Sequence, residues 1–391
     1  MPAMPASDLR SIELVCIDCR GLPLAKPQAA AMWPAQLDAR PDAMPDDLPE
    51  AISPTAAVAL DTRTHAAWGR TLSLPQYLQR ERVLRASPFS QRGLRAWALQ
   101  KTGTVVASCE TYACDVTLGG RGTSGSAASQ GTGHGIASVF VDPAHRGHGY
   151  ASELLRRVHA ALQAEGALLC FLWSEIGPTL YQRLGYVGRP LSLRRYAAAP
   201  KEESHGAVPP WRYLRLSELG AALAARPSVD RGLALRIDVD LAQIDWYLRR
   251  AAFYARCQGR AISPYVAAQA GDALAVFSPD FVDNVMRVLT LYPGARLAKA
   301  GAVFEPRSPE GENLRNVLHA ARTVAGQLGL PSIEIWQNPL NAGYLRGGVQ
   351  VPEAKDLPMI LLLAGTTGTR GSAKAALRAE DWQDYERGLW L

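Results

Sequence analysis

At 391 residues the chain is about twice a common single-domain size, so two domains are expected. A hydrophobic fraction of 48% and a charged fraction of 20% exclude a mostly disordered chain. The net charge of +6 is spread without a basic block, which argues against a nucleic-acid-binding tract and suits a ligand bearing several phosphates.

No apolar run approaches the ~18 residues of a membrane span, and the first ten residues lack the pattern of a secretory leader. Cysteine usage fits a reducing compartment, so a cytoplasmic protein without a membrane partner is expected. Cys16 and Cys19 have zinc-ligand spacing but no companion pair or histidine, so no metal is expected.

In chain order, residues 11–16 read as a strand, and residues 39–59, rich in proline, alanine and aspartate, as a loose surface loop. Leu74 to Leu84 reads as a helix, with Leu74, Tyr77 and Leu78 on one face. Leu94 to Gln100 and Val105 to Leu118 alternate as two antiparallel strands joined near Thr102-Gly103. Residues 119–135 hold seven glycines in seventeen residues and read as a mobile insertion. Ile136 to Val141 is a short strand that runs through Asp142-Pro143 into the turn Arg146-Gly147-His148-Gly149. A helix follows, striped by Leu154, Leu155, Val158, Ala161 and Leu162 and ended by Gly166. Ala167 to Trp173 reads as a buried strand, Thr179 to Leu184 as a short helix, and Tyr186 to Tyr196 as a further strand. The polar, proline-bearing stretch from Ala199 to Pro210 suggests a boundary, giving units of 1–200 and 210–391.

The second unit reads as a helix striped by Leu241, Ile244, Leu248, Ala251 and Ala255, then strands at Tyr265 to Phe277, Val285 to Tyr292 and Ala298 to Phe304. A strong helix from Leu314 to Leu328 and a strand from Ser332 to Trp336 close the series. This succession echoes the first unit and suggests a degenerate second copy, although Arg307 to Asn313 lacks the basic glycine pattern.

The glycine turn carries the chemistry. Between a strand and a helix it exposes unpaired N–H groups at the positive end of the helix dipole, a setting that favours a diphosphate. Gly147 and Gly149 let the backbone approach such a ligand, Arg146 adds charge, and Ala151 keeps the first helical turn narrow. The spacing is neither that of a Rossmann turn nor that of a P-loop.

Arg146-x-x-Gly149-x-Ala151 matches the signature of the GNAT superfamily of acetyl-CoA-dependent N-acetyltransferases, and Tyr181-Gln-Arg-Leu-Gly185-Tyr186 resembles that family's Tyr-x-x-x-Gly-aromatic stretch. More of the chain resembles the fungal lysine N6-acetyltransferases. The matching stretches are Trp68-Gly69, Leu72 to Glu81, Ser108 to Tyr112, and Leu172-Trp-Ser-Glu-Ile-Gly177, with a looser fit from Trp246 to Arg256. Trp173 and Glu175 depart from the Leu-Tyr-Ser-Asp-Ile-Gly usual in that group, and the long insertion is another departure.

The resemblance implies an α/β (α+β) fold, a GNAT-type central mixed sheet flanked by helices, with a second C-terminal domain contributing to the acceptor pocket. It implies acetyl-CoA as co-substrate and direct attack of an amine on its thioester. Residues 139–141 (Val139, Phe140, Val141) would pair with the pantetheine arm. Arg146, Gly147, His148, Gly149, Tyr150 and Ala151 would hold the diphosphate. Tyr181 would be the general acid, and Glu110 and Glu175 are the candidate bases. The expected acceptor is the ε-amine of free L-lysine. Another small amine, such as a polyamine or diamino acid, stays open, as does a CoA-binding regulatory protein without catalysis.

Overall fold

Two mixed sheets and the helices that cover them organise the chain. The computed structural model describes residues 12–18, 55–118, 129–200, 209–225, 235–237, 239–297, 304–338, 341–352, 356–363, 382 and 388. The expected linker at 201–208, the strand at 298–303 and residues 119–128 of the insertion lie outside these.

The first sheet begins with β1 (Ile12–Asp18), β2 (Leu94–Lys101), β3 (Thr104–Leu118) and β4 (Ser129–Val141), each antiparallel to the next. Before them lie the helices α1 (Thr55–Trp68), α2 (Leu74–Arg85) and α3 (Pro88–Gly93). A Ser73–Gln76 capping box starts α2, each partner satisfying a backbone N–H at the helix end. α4 (Tyr150–Ala164) then crosses over to β5 (Leu169–Ser174), which pairs parallel with β4. Leu154, Leu155, Val158 and Leu162 on α4 are fully buried against the sheet, each contributing roughly 1.5–3 kcal/mol. Gly166, at φ 85°, turns the chain from helix to strand.

The second sheet repeats this scheme. β10 (Ala267–Ala270), β11 (Ala273–Asp280) and β12 (Val285–Tyr292) form an antiparallel meander. α8 (Pro309–Gln327) crosses over to β13 (Ser332–Gln337), which is parallel to β12. The matching order of three antiparallel strands, helix and parallel strand is what the degenerate copy requires.

The sheets also exchange strands. After α5 (Thr179–Gln182) and the two-residue β6 (Val187–Gly188), the chain leaves the first sheet, and β7 (Ser192–Ala197) pairs with β13 of the second. In return β15 (Leu357–Leu362) enters the first sheet between β5 and β6. β14 (Val349–Pro352) and β8 (Arg212–Leu214) flank the second sheet. α6 (Leu216–Ala224) and β9 (Arg236–Ile237) lead to α7 (Leu241–Cys257), and β9 pairs with β3. α7 packs against α2 and α3 on one side and β11 on the other. One core therefore runs between the halves, joining Tyr112, Val116 and Phe171 to Ile244, Trp246, Val276 and Leu289.

Four expectations need correction. The strand expected from Tyr265 to Phe277 is two, β10 and β11, paired antiparallel across a turn at Gly271 (φ 53°). Residues 55–59 belong to α1 rather than to a loop. Residues 129–135 are strand rather than mobile spacer: a Cβ on Gly131 would lie 2.2 Å from Leu168 and one on Gly133 2.7 Å from Leu169, so these glycines permit close packing. The stretch from Tyr186 to Tyr196 is two strands in different sheets. Pro190 has no N–H to donate to a ladder, and the chain changes sheet there.

Candidate functional site

β4 and β5 pair only at Gly133–Leu169, His134–Cys170 and Gly135–Phe171. Beyond these, β4 runs on to Val141 held by β3 on one side, and β5 runs on to Ser174 held by β15 on its other side. The two parallel strands thus diverge from Ile136 onward. A cleft of about 490 Å³ opens along this divergence, lined by residues 135–141, Arg146, Ala151 and residues 171–173.

A bulge shapes the cleft wall. The β3–β4 register shifts between Ser108 and Glu110, and Ser138 takes φ 53°, a strained value for a residue with a side chain. The Ser138 hydroxyl donates to Glu110 Oε2 at 2.9 Å. Val139 and Val141 pack partly into the α4 core, and Phe140 meets Trp68 edge-on at 5.8 Å. Their side chains serve packing, and their main chain lines the cleft.

The glycine turn stands at the end of β4. Gly147 (φ 85°) and Gly149 (φ 82°) are left-handed, and a Cβ on either would meet nothing within 4 Å. Their requirement is thus conformation and open approach rather than internal packing. Gly149 caps α4 without a side chain, and the first helical bond runs from Glu153 N–H to the Gly149 carbonyl at 3.1 Å. The amides of residues 150–152 therefore have no intrahelical acceptor. Exposed Arg146 stands beside them, its Nε on the Val141 carbonyl at 3.2 Å. A diphosphate fits this cradle. His148 turns its Nδ1 back to the Arg146 carbonyl at 2.9 Å. Tyr150 is buried, its hydroxyl accepting from Lys101 Nζ at 3.2 Å and its ring stacked on His148 at 5.9 Å between centroids.

The acidic end of the cleft is a network. Arg85 grips Asp61 through both terminal nitrogens, with 2.6 Å to Oδ1, and reaches Glu110 Oε1 at 3.1 Å. Burial pushes the Asp61 carboxyl up to about 6 against the pull of Arg85. Glu110 is thus held by a guanidinium on one oxygen and a hydroxyl on the other. Arg80 closes a neighbouring wall, paired with Glu81 and donating to Tyr254 Oη at 2.8 Å.

Tyr181 on α5 is 6% exposed, lines the cleft and packs edge-on to Tyr186 at 5.7 Å. Burial pushes its phenol up to about 12, so it is protonated at neutral pH. Glu175 also lines the cleft but is exposed at the end of β5, where Ser174 Oγ donates to the Gly177 carbonyl at 2.6 Å and shapes the loop. The structure thus brings Glu110, Glu175, Tyr181, residues 139–141, Arg146 and Ala151 to one cleft.

Several lining residues were not assigned to the site from the sequence. Asp61 sits in a helix hidden within an alanine-rich stretch, and Arg85 lies just past the expected end of α2. Trp246 and Arg250 lie in the stretch from Trp246 to Arg256 that the resemblance already marked, and the tertiary arrangement carries them on α7 to the cleft. The positive φ of Ser138 has no local sequence signal.

Comparison with known proteins gives the same reading of this region. Residues 43–188 match the family model of the acetyltransferase (GNAT) domain. A lysine acetyltransferase of Yarrowia lipolytica is 30% identical over 151 residues, a match spanning 33% of this chain and 38% of that protein. Among solved structures, the GCN5-related N-acetyltransferase from Kribbella flavida is 18% identical with a TM-score of 0.49, covering 81% of this chain and 71% of that one. A probable N-acyltransferase from Enterococcus faecalis V583 is 11% identical with a TM-score of 0.49, covering 78% and 70% respectively. Residues 43–188 of this chain thus match a GNAT acetyltransferase domain, and about a third of the chain is similar to the lysine acetyltransferase of Yarrowia lipolytica.

Proposed function

We propose that the protein is an acetyl-CoA-dependent N-acetyltransferase whose acceptor is a small amine, with the ε-amine of free L-lysine as the favoured substrate. The observation that carries this is the divergence of β4 from β5 beside an uncapped helix N-terminus, opening into a cleft that holds both carboxylates and a buried phenol. The match to a lysine acetyltransferase supports the acceptor. A role in lysine breakdown and a cytoplasmic setting belong to the same reading. No helix among the described residues is long and apolar enough to cross a membrane.

Acetyl-CoA supplies an activated acetyl group on a thioester. The amides at the start of α4, with Gly147, Gly149 and Arg146, hold its diphosphate. Free main-chain groups of β4 from Val139 to Val141 align the pantetheine arm as if it were a further strand. This places the thioester near the divergence point, toward Tyr181 and the acidic network.

The acceptor arrives mostly as an ammonium. An ε-amine has a pKa near ~10.4, so the neutral nucleophile costs roughly 4–5 kcal/mol at pH 7. The carboxylates Glu110 and Glu175 attract the cation, and one of them takes its proton, directly or through water. Glu110 is the better positioned, because Arg85 and Ser138 fix its carboxylate. Attack forms the new C–N bond, and the C–S bond breaks. Tyr181 Oη gives its proton to the departing thiolate.

The test is a thiol-release screen with acetyl-CoA over free amino acids, polyamines and a histone peptide. Release limited to L-lysine is the expected result. Release with polyamines alone moves the acceptor to that class, and release with none, while calorimetry still detects CoA, leaves a binding protein without catalysis.

A further inference from the structure

Resting on the acetyltransferase reading, we infer that α7 supplies the acceptor's specificity: Arg250 and Trp246 recognise a free α-carboxylate, so the substrate is an amino acid rather than a simple diamine.

The cleft is assembled mainly from the first half, yet Trp246 and Arg250 of α7 also line it. They are four residues apart on one helix, hence on one face and one turn apart. The Arg80 and Arg85 guanidiniums are occupied by close carboxylates, Glu81 for the first and Asp61 with Glu110 for the second. Arg250 differs. Its ion pair with Asp280 is 3.7 Å long, beyond hydrogen-bond distance, and Asp280 is at the same distance from Arg287. The Arg250 side chain is 17% exposed and lies over the Tyr254 ring at 5.3 Å, which fixes its direction and leaves donors for a ligand.

Trp246 supplies a second, independent sign. The residue is 6% exposed, and its Nε1–H is buried without a hydrogen-bond acceptor. A buried indole N–H normally finds a partner, and an orphaned one costs free energy unless a ligand completes it. A guanidinium and an unpaired indole N–H carried one turn apart on one helix that lines the cleft, both donors, fit a carboxylate. The carboxylates Glu110 and Asp61 on the opposite elements suit the amine end of the same molecule. A diamine without a carboxylate leaves both α7 donors unpaired, and a site built this way rejects such an analogue.

The experiment compares L-lysine with cadaverine, its decarboxylated counterpart, on the full chain. The wild-type protein is expected to favour L-lysine by about 30-fold in kcat/KM, the range of a charge-assisted hydrogen bond. Arg250→Gln is expected to collapse this ratio to near unity through a rise in the KM for L-lysine, and Arg250→Lys to restore part of it. Trp246→Phe keeps the ring and removes only the N–H, and should lower the ratio about threefold to fivefold. Thermal unfolding and acetyl-CoA calorimetry on each variant identify loss of fold, in which case Arg250→Lys and Trp246→Phe decide. A wild-type protein that acetylates both amines equally, or variants that leave the ratio intact, overturns the inference while the acetyltransferase stands. Acetylation of neither amine overturns the inference, and the thiol-release screen over other amines then decides the acetyltransferase reading.

Discussion

The two halves share a strand–helix–strand scheme but treat the start of the crossover helix in opposite ways. In the first half the helix opens on Gly149, which has a left-handed backbone and no capping side chain. In the second, Ser308 caps α8 by accepting from Gly311 N–H at 3.1 Å, Pro309 occupies the first turn, and Glu310 and Glu312 place negative charge there. A Cβ on Gly311 would lie 2.5 Å from the Glu305 carbonyl, so that end is filled by its own chain. The pairing of parallel strands is also brief in both, three positions in one and two in the other. The same strand–helix–strand scheme thus leaves a helix end bare and open to an anion in the first half alone among the two crossovers. The second half has its own cap and acids at that helix end, which disfavour a phosphate there.

The largest effect that would break this contrast comes from Gly149→Asp. It adds bulk at φ 82° and a charge beside the diphosphate, so CoA affinity should fall by about a thousandfold. Unchanged calorimetric affinity would sink the cradle. The mirror-image change, Gly311→Ala, should cost about 1–3 kcal/mol of stability by overpacking yet leave CoA affinity alone.

Acidity separates the two crossover helices next. Buried His159 on α4 shares a 2.9 Å hydrogen bond with Tyr186 Oη, and burial holds its pKa down at about 4; His134 in β4 is lowered to about 4 mainly by the same cause. The unfolded chain takes up these protons near pH 6.5, before the folded one does. Each histidine's contribution is therefore complete above pH 6.5 and lost as pH falls toward 4, by roughly 3 kcal/mol. Asp61, raised to about 6, acts in the opposite sense: protonated when folded, it favours the native state at low pH and loses that contribution as pH rises through 6. The buried side chains of α8 are all aliphatic and none titrates. His159→Gln should flatten the fall in urea midpoint between pH 7 and 4.5, and an unaltered slope would remove His159 from this account.

Tyr181→Phe sharpens the comparison at the chemical end. Turnover at pH 7 should drop about 100-fold, with acetyl-CoA binding nearly intact. Full turnover in a thiol-release assay would remove Tyr181 as the acid.

What the sequence discloses follows from the range of the interactions involved. The apolar stripe of α4, the turn at Gly147 and Gly149 and the β2–β3 alternation are encoded by near neighbours, and all are found where the pattern places them. α1 escapes notice because its alanines and polar residues make no strong stripe, and its place is set by distant partners such as Arg63 with Asp142 at 2.9 Å. Glycines at 131 and 133 look flexible by composition but are small because Leu168 and Leu169 crowd them. Within the cleft, Glu110, Glu175 and Tyr181 were legible from motifs, whereas the grip of Arg85 on Asp61 and Glu110 joins residues 24 and 25 positions apart.

The exchange of β7 and β15 has a consequence for biogenesis. As the polypeptide emerges from the ribosome, the first half cannot finish its sheet until residues 357–362 have been translated, because β6 is joined to β5 only through β15. Until then Leu169 to Ser174 presents an unpaired edge, an invitation to chaperones and to misassembly. Closing so long a loop makes maturation slow, and it ties completion of the cleft's own sheet to the arrival of its companion half.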